Sequence, residues 1–279
     1  MQIRPVSLPI GAEITDIDLG SITDDEAEQV HDALMQFGVV FFRDQDITPR
    51  QQVDFAKRYG HVPAAQKASF GIDEDAPEIS TLTYDRERPP NVNHYHSDGL
   101  FREKPEFGSV LRAIEVPELG GDTIFVSGTA AYEALSDRMQ RYLDGVYAIN
   151  DFMNLHSRPS KSRSWKGDGG KGMAAVHEQN PPVAHPVVRT HPVTGKKSLF
   201  VCQSFTTYLA DMPEREGRGV LEFLFEHVSL PEFQYRFQWR PNSIAFWDNR
   251  CTLHYAVADY WPRYRHMLRC SIRLDEVPV

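Results

Sequence analysis

His96-Ser97-Asp98 sets an imidazole and a carboxylate two positions apart, a spacing that puts both on one side of an extended strand. Alone the pair is a weak signal, because with 11 histidines and 39 acidic residues such short motifs arise by chance. Its weight comes from what lies elsewhere in the chain. His254 follows an apolar strand, Ser243-Ile244-Ala245-Phe246-Trp247, through the run Asp248-Asn249-Arg250-Cys251-Thr252-Leu253. Arg265 and Arg269 come next, four positions apart on a further strand, so alternation lets both guanidiniums face one cavity. Two histidines and one carboxylate occupy one face of an octahedron and leave three positions open, a donor set suited to Fe(II) in oxygenases. The open face has room for a bidentate 2-oxo acid and then dioxygen, and the arginines offer two anchors for anions. Surface ion pairs on a solvated strand are the plainer reading of the two arginines and stay open at this point.

The elements that must position these groups follow from the rest of the chain. Its 279 residues are enough to bury a large core, and 41% apolar with 25% charged residues is the composition of a globular protein. A formal charge of -9 argues against nucleic acid as a partner but leaves room for a small anion at a local arginine cluster. No run of about 18 uncharged apolar residues and no leader-like start are found, so neither a membrane partner nor export is expected and the cytoplasm is. Cys202, Cys251 and Cys270 are odd in number, widely spaced and without a Cys-x-x-Cys pair, which reads as three free thiols.

Ala27, Val30, Leu34 and Phe37 recur at helical spacing, and Gly38 ends that helix before the buried strand Val39-Val40-Phe41-Phe42. Thr48-Pro49-Arg50-Gln51 forms a capping box with proline at the first helical position, opening a second helix toward Gly60. Strands are predicted over 11–19, 79–84, 93–96, 109–116 and 123–126, and a helix over 127–143. The segment 156–182 is rich in Ser, Lys, Arg and Gly, so a mobile surface excursion is expected, a lid and an idle insertion being equally open. Val193-Thr194-Gly195-Lys196 reads as a hairpin turn, and a helix over 214–227 precedes strands at 233–239, 243–247 and 267–274. Many short strands with few helices predict one domain over 1–279, mainly β with flanking α, a double-sheet jelly roll with helices packed outside.

His96-Ser97-Asp98, Gly120-Gly121-Asp122-Thr123, His185-Pro186-Val187-Val188-Arg189-Thr190-His191-Pro192 and the run from Trp247 through His254 to Arg269 resemble the α-ketoglutarate-dependent taurine dioxygenase family, the TauD/TfdA family. That family also includes phenoxyacetate herbicide and alkylsulfate dioxygenases, and the resemblance spans nearly the whole chain. It implies the double-stranded β-helix of the Fe(II)/2-oxoglutarate dioxygenases, with Fe(II), α-ketoglutarate and O2 as the cofactor set. His96, Asp98 and His254 match the iron ligands and so the catalytic centre. Thr123 and Arg265 match the residues that hold the distal carboxylate of α-ketoglutarate, with Trp247 beside it. Arg269 matches the anchor for the anionic head of a small organic substrate, and Phe101, Phe152 and Phe205 match aromatic positions of the substrate cavity. Members of the family often form homo-oligomers, dimers or tetramers.

Taurine or a related sulfonate leads among the implied substrates, hydroxylation giving aldehyde and sulfite with succinate and CO2. The pocket departs from taurine-specific members, however. The asparagine expected four positions before the first iron histidine is Val92 here, with Asn91 and Asn93 either side, and Asn93 is the candidate for its role. After the second helix the stretch Gly60-His61-Val62-Pro63-Ala64-Ala65-Gln66-Lys67-Ala68 lacks the expected tyrosine and has His61 out of register. A same-family hydroxylase of a carboxylate, sulfate ester or amino-acid-derived metabolite is the second reading, and a non-catalytic metal-binding jelly roll the third. His61, His94, His185 and His191 have no evident partner and read as structural, while Asp248 and Arg250 read as scaffolding at a strand end.

Overall fold

In the computed structural model, residues 1–65, 70–157 and 171–279 are described. The chain opens with β1 (Gln2–Pro5) and β2 (Ala12–Thr15), then α1 (Asp24–Phe37), β3 (Val39–Phe42) and α2 (Pro49–Lys57). Thr23 and Thr48 each cap a helix through a reciprocal box with Glu26 and Gln51, and Gly38 ends α1 in the left-handed conformation at φ 72°. Next come β4 (Gly71–Ile72), β5 (Ser80–Tyr84), β6 (Gly108–Glu115), β7 (Thr123–Ser127), α3 (Gly128–Glu133), α4 (Asp137–Leu143), β8 (Tyr147–Asn150) and α5 (Phe152–Ser157). The remainder is α6 (Lys171–Gln179), β9 (Val183–Pro186), β10 (Val188–Thr190), β11 (Lys197–Leu199), β12 (Thr206–Leu209), α7 (Glu214–Val228), β13 (Gln234–Phe237), β14 (Ile244–Asp248), β15 (Thr252–Ala256) and β16 (Arg265–Ile272).

Eight strands form the major sheet in the order β1-β2-β3-β14-β6-β16-β5-β4, and β13-β7-β15 form a three-stranded sheet. Side chains that alternate along a strand sort onto the two faces of the major sheet. Val40, Phe42, Ile244, Phe246, Leu268 and Cys270 pack against α1 and α2 on one face. Val39, Phe41, Ala245, Trp247 and Met267 pack on the other against Phe125 and Phe237 of the three-stranded sheet. Strands buried on both faces read as unbroken apolar runs, which is why Val39-Val40-Phe41-Phe42 shows no alternation in sequence. The two-sheet core with outer helices is the jelly roll expected. A third cluster joins α3 and α7 to Ala148, Leu199, Phe200 and Leu209.

Three local expectations are corrected and one strand is added. The helix over 127–143 is two helices, because the Ser136 hydroxyl accepts from Met139 N and caps a fresh start; Ala131 and Leu143 still face inward. No strand forms over 93–96, where a single bridge between His96 and His254 is the only pairing. Within 156–182, residues Lys171–Gln179 are helical, an alanine-bearing turn that buries Val176; 158–170 lie outside the described residues. β1 went unpredicted, since its four residues are all exposed and carry no apolar period. The three thiols are free, Cys202 and Cys270 being buried.

Candidate metal centre and anion cavity

His254 sits in β15, and His96 reaches it by a two-way backbone bridge, His96 N to His254 O at 3.0 Å and His254 N to His96 O at 2.8 Å. That bridge sets the imidazoles side by side, ring centroids 4.1 Å apart. Asp98 turns back after it, so that its Oδ1 lies 3.7 Å from His96 Nε2 and 3.9 Å from His254 Nε2. The donor atoms of all three lie within 4.8 Å of one another, and each residue is buried. The His-x-Asp spacing therefore works through a bridge and a turn rather than through the strand alternation expected of it.

Charge at the three donors suits a divalent cation. Burial pushes the pKa of His96 down and that of His254 well down, so both imidazoles keep a free lone pair at neutral pH. Burial alone would raise Asp98, but Arg269, His254 and His96 outweigh it and hold the carboxyl below its usual range. The result is two neutral nitrogens and one carboxylate oxygen, the set expected for Fe(II). Outer partners fix the orientation of His96 and Asp98. His96 Nδ1 lies 3.0 Å from the His94 carbonyl, which turns Nε2 inward. Ser109 donates to Asp98 Oδ2 at 2.8 Å, and Arg269 Nη1 donates to Asp98 Oδ1 at 2.9 Å.

Asn249 ties this motif to the end of β14. Its Oδ1 accepts from Asp98 N at 3.1 Å and from Trp247 Nε1 at 3.0 Å, while its carbonyl accepts from the Ser97 hydroxyl at 2.7 Å. One buried amide oxygen therefore sets the backbone of a candidate ligand and the indole beside His254, whose rings are 4.8 Å apart. Sequence reasoning missed Asn249, although it stands inside the Trp247 to His254 run. Ser109, on a strand read only for its apolar content, carried no signal.

A cavity open at its mouth adjoins the two imidazoles. Arg265 and Arg269 line it from β16 on the face that Met267 shares, as their spacing predicts, and Thr123 and Trp247 line it too. Arg265 is 3% exposed and its Nε is buried without a partner among the described residues, so a cation lacking full solvation faces the cavity. Tyr84 lies directly across the strand pair from Arg265, and the Tyr260 ring lies 5.7 Å from its guanidinium. Gly121, at φ +74°, lets the chain pass where a Cβ would stand 3.2 Å from Tyr260 and 3.4 Å from Arg265. The apolar wall is Phe70, Leu82, Pro90, Val92 and Leu111.

The proposed substrate residues fall differently. Asn93 is exposed and is not among the lining residues, whereas its neighbour Val92 is. The Phe101 ring packs at a tilt against Phe152 and against Phe205, 5.0 Å between centroids in each pair, and Phe205 lies edge-on to His96 at 6.5 Å. That group lies outside the lining of the cavity and belongs to the core cluster under α7. Phe70, Tyr84 and Tyr260 are lining residues that sequence reasoning passed over.

A second group of possible ligands, His191, Asp248 and Cys251, is of another kind. Asp248 is already held by Arg250 Nη2 at 2.7 Å and by His191 Nε2 at 3.0 Å, and a cation there would face the buried Arg250 guanidinium. It ties the end of β14 to the turn at His191, the scaffolding expected of Asp248 and Arg250, and gives His191 the partner it lacked in sequence.

The family model described as taurine catabolism dioxygenase TauD, TfdA family, matches residues 2–271. An α-ketoglutarate-dependent 2,4-dichlorophenoxyacetate dioxygenase of Cupriavidus pinatubonensis is 32% identical over 99% of this chain and 98% of its own. An α-ketoglutarate-dependent sulfonate dioxygenase of Saccharomyces cerevisiae is 28% identical over 97% of this chain and 66% of its own. Among solved structures, AAD-2 in complex with Mn(II) and N-oxalylglycine superposes with a TM-score of 0.83 at 28% identity, covering 100% of both chains. The chain belongs to the TauD/TfdA family and is an α-ketoglutarate-dependent, non-haem iron dioxygenase.

Proposed function

We propose that His96, Asp98 and His254 hold the Fe(II), that Thr123 and Arg265 hold the distal carboxylate of α-ketoglutarate, and that Arg269 receives the anionic head of a small organic substrate. The observation that carries this reading is the single cavity walled by two histidines on one side and by two arginines from one strand face on another. The relative solved with Mn(II) and N-oxalylglycine supports it, since N-oxalylglycine has the two carboxylates and the 2-oxo group of α-ketoglutarate.

Bound together, iron, α-ketoglutarate and O2 supply the oxidising power that converts the 2-oxo acid to succinate and CO2 and hydroxylates a substrate carbon. The chain's own part is placement. Arg265, buried and short of partners, favours a carboxylate at a fixed depth. Arg269 has five N–H donors and spends one on Asp98, so its remaining donors, including an Nε without a partner among the described residues, serve a second anion. Anchoring that anion decides which carbon lies nearest the metal, an effect of proximity rather than of acid-base chemistry. If that carbon bears a sulfonate, hydroxylation yields a hydroxysulfonate whose C–S bond breaks to leave aldehyde and sulfite.

A sulfonate is the leading substrate, in line with the sulfonate dioxygenase among the relatives, and a carboxylate is the second reading, in line with the phenoxyacetate enzyme. The test is a panel of sulfonates, sulfate esters and carboxylates scored for succinate. Sulfonate-dependent succinate with matching sulfite supports the first reading; succinate with a carboxylate alone replaces it by the second.

A further inference from the structure

We propose that Trp239 is a positioning residue that makes the Thr123 hydroxyl an obligatory hydrogen-bond donor toward the distal carboxylate of α-ketoglutarate. The inference rests on the assignment of Thr123 and Arg265 to that carboxylate. Trp239 Nε1 lies 3.0 Å from Thr123 Oγ1, and both residues are buried. An indole N–H donates and cannot accept, whereas a hydroxyl does either. Thr123 Oγ1 is therefore the acceptor in this pair, and its own proton must point away from the indole. Among the described residues none accepts that proton, and Thr123 lines the cavity beside Arg265. The free proton is thus directed at whatever occupies the space before Arg265.

Two consequences follow for binding. A hydroxyl that accepts one hydrogen bond is polarised into a better donor. Thr123 and Arg265 then both present donors to that end of the cavity, a match for a carboxylate and a mismatch for an ammonium group. Trp239 is well placed to hold this orientation. It packs edge-on against Phe237 at 4.8 Å, Phe237 stacks on Phe41 at 4.1 Å, and Phe237 stands directly opposite Thr123 in the β13–β7 pair. The indole, two residues beyond the end of β13, and the hydroxyl, at the start of β7, are therefore held beside one another by that strand pair. Trp239 does not line the cavity, so it acts only through Thr123.

The experiment is an anaerobic titration of α-ketoglutarate into Fe(II)-loaded protein, followed by the metal-to-ligand charge-transfer absorption, in the parent, Trp239→Phe, Thr123→Ala and the double variant. Pyruvate, a 2-oxo acid with no distal carboxylate, is titrated alongside. Trp239→Phe is expected to weaken α-ketoglutarate about 10-fold, the loss of support for one charge-assisted hydrogen bond, with pyruvate and Fe(II) affinities unchanged. In the Thr123→Ala background the same change is expected to have no further effect. Equal weakening of pyruvate, or an undiminished effect of Trp239→Phe without the hydroxyl, would overturn the role of Trp239. Unaltered affinity in Thr123→Ala would overturn the assignment of Thr123 itself and the inference with it. Should Trp239→Phe fold poorly, benzothienylalanine at position 239, which keeps the ring shape and lacks the N–H, gives the same comparison and the same deciding outcomes.

Discussion

Asn249 shows how much of the centre is set by a residue that would touch neither metal nor substrate. Its side-chain oxygen gathers the Asp98 amide and the Trp247 indole, and no other described group supplies that link. Outer partners of metal ligands typically cost about 10–100-fold in affinity when lost. Asn249→Ala is therefore predicted to weaken Fe(II) binding by about that range while leaving helix content unchanged, as read by metal titration beside circular dichroism. Unweakened binding would show that the ligand backbone needs no such tie. The histidines carry a pH prediction. Their folded pKa values lie below the roughly 6.5 of a solvated imidazole, so protons compete with the metal only at pH below that value. Metal affinity is expected to stay level as pH falls through about 6.5 and to decline only lower, whereas solvated imidazoles would lose affinity from about 6.5 downward. In the metal-free protein the unfolded chain gains these protons first, so stability is predicted to fall as pH drops through about 6.5, measurable by denaturant unfolding. At this scale residue type and order were legible: the ligand set and both arginines stood out by chemistry. Asn249, Ser109 and Trp239 were not, because a neutral hydrogen-bonding side chain in a β-rich sequence has no spacing that marks it.

The elements explain which parts of the chain could be read in advance. Capping boxes at Thr48 and the stop at Gly38 are local devices, so α1 and α2 were evident from a few residues. The break at Ser136 was also local, a serine followed by Asp137, but the apolar stripe through Ala131 and Leu143 concealed it. The bridge at His96 was not legible, because its partner is a distant strand, β15. Gly121 belongs to the loop entering β7 and offers a test of how elements shape the site. A left-handed backbone costs a non-glycine residue about 1–2 kcal/mol, and here a methyl would also press on Tyr260 and touch Arg265. Gly121→Ala is predicted to lower stability by about that amount and to raise the α-ketoglutarate concentration needed for half-maximal succinate formation. Phe246 makes the contrasting case, facing α2 rather than the cavity. Phe246→Ala is expected to cost about 3–5 kcal/mol of stability while α-ketoglutarate affinity of the folded fraction is retained.

Across the whole molecule the site is a product of closure. Asp98 and Asn249 are 151 residues apart, and Asp98 and Arg269 are 171 apart, so these contacts depend on long-range closure of the chain. Folding and metal binding are linked for that reason, since an unfolded chain does not present three converging donors. A metal at about 100 times its dissociation constant would add about 2.7 kcal/mol to stability, and thermal unfolding with and without Mn(II) under these conditions is predicted to show a rise of several degrees. The −9 charge of the chain sharpens the contrast with a cavity lined by two guanidiniums, so anion binding here depends on local rather than net charge. The most direct measurement of the central claim is the Fe(II) stoichiometry of the anaerobic protein and of His96→Ala, Asp98→Ala and His254→Ala. One ion per chain in the parent, with binding lost in each variant that still folds, is the result predicted; variants that bind Fe(II) as tightly as the parent would contradict it.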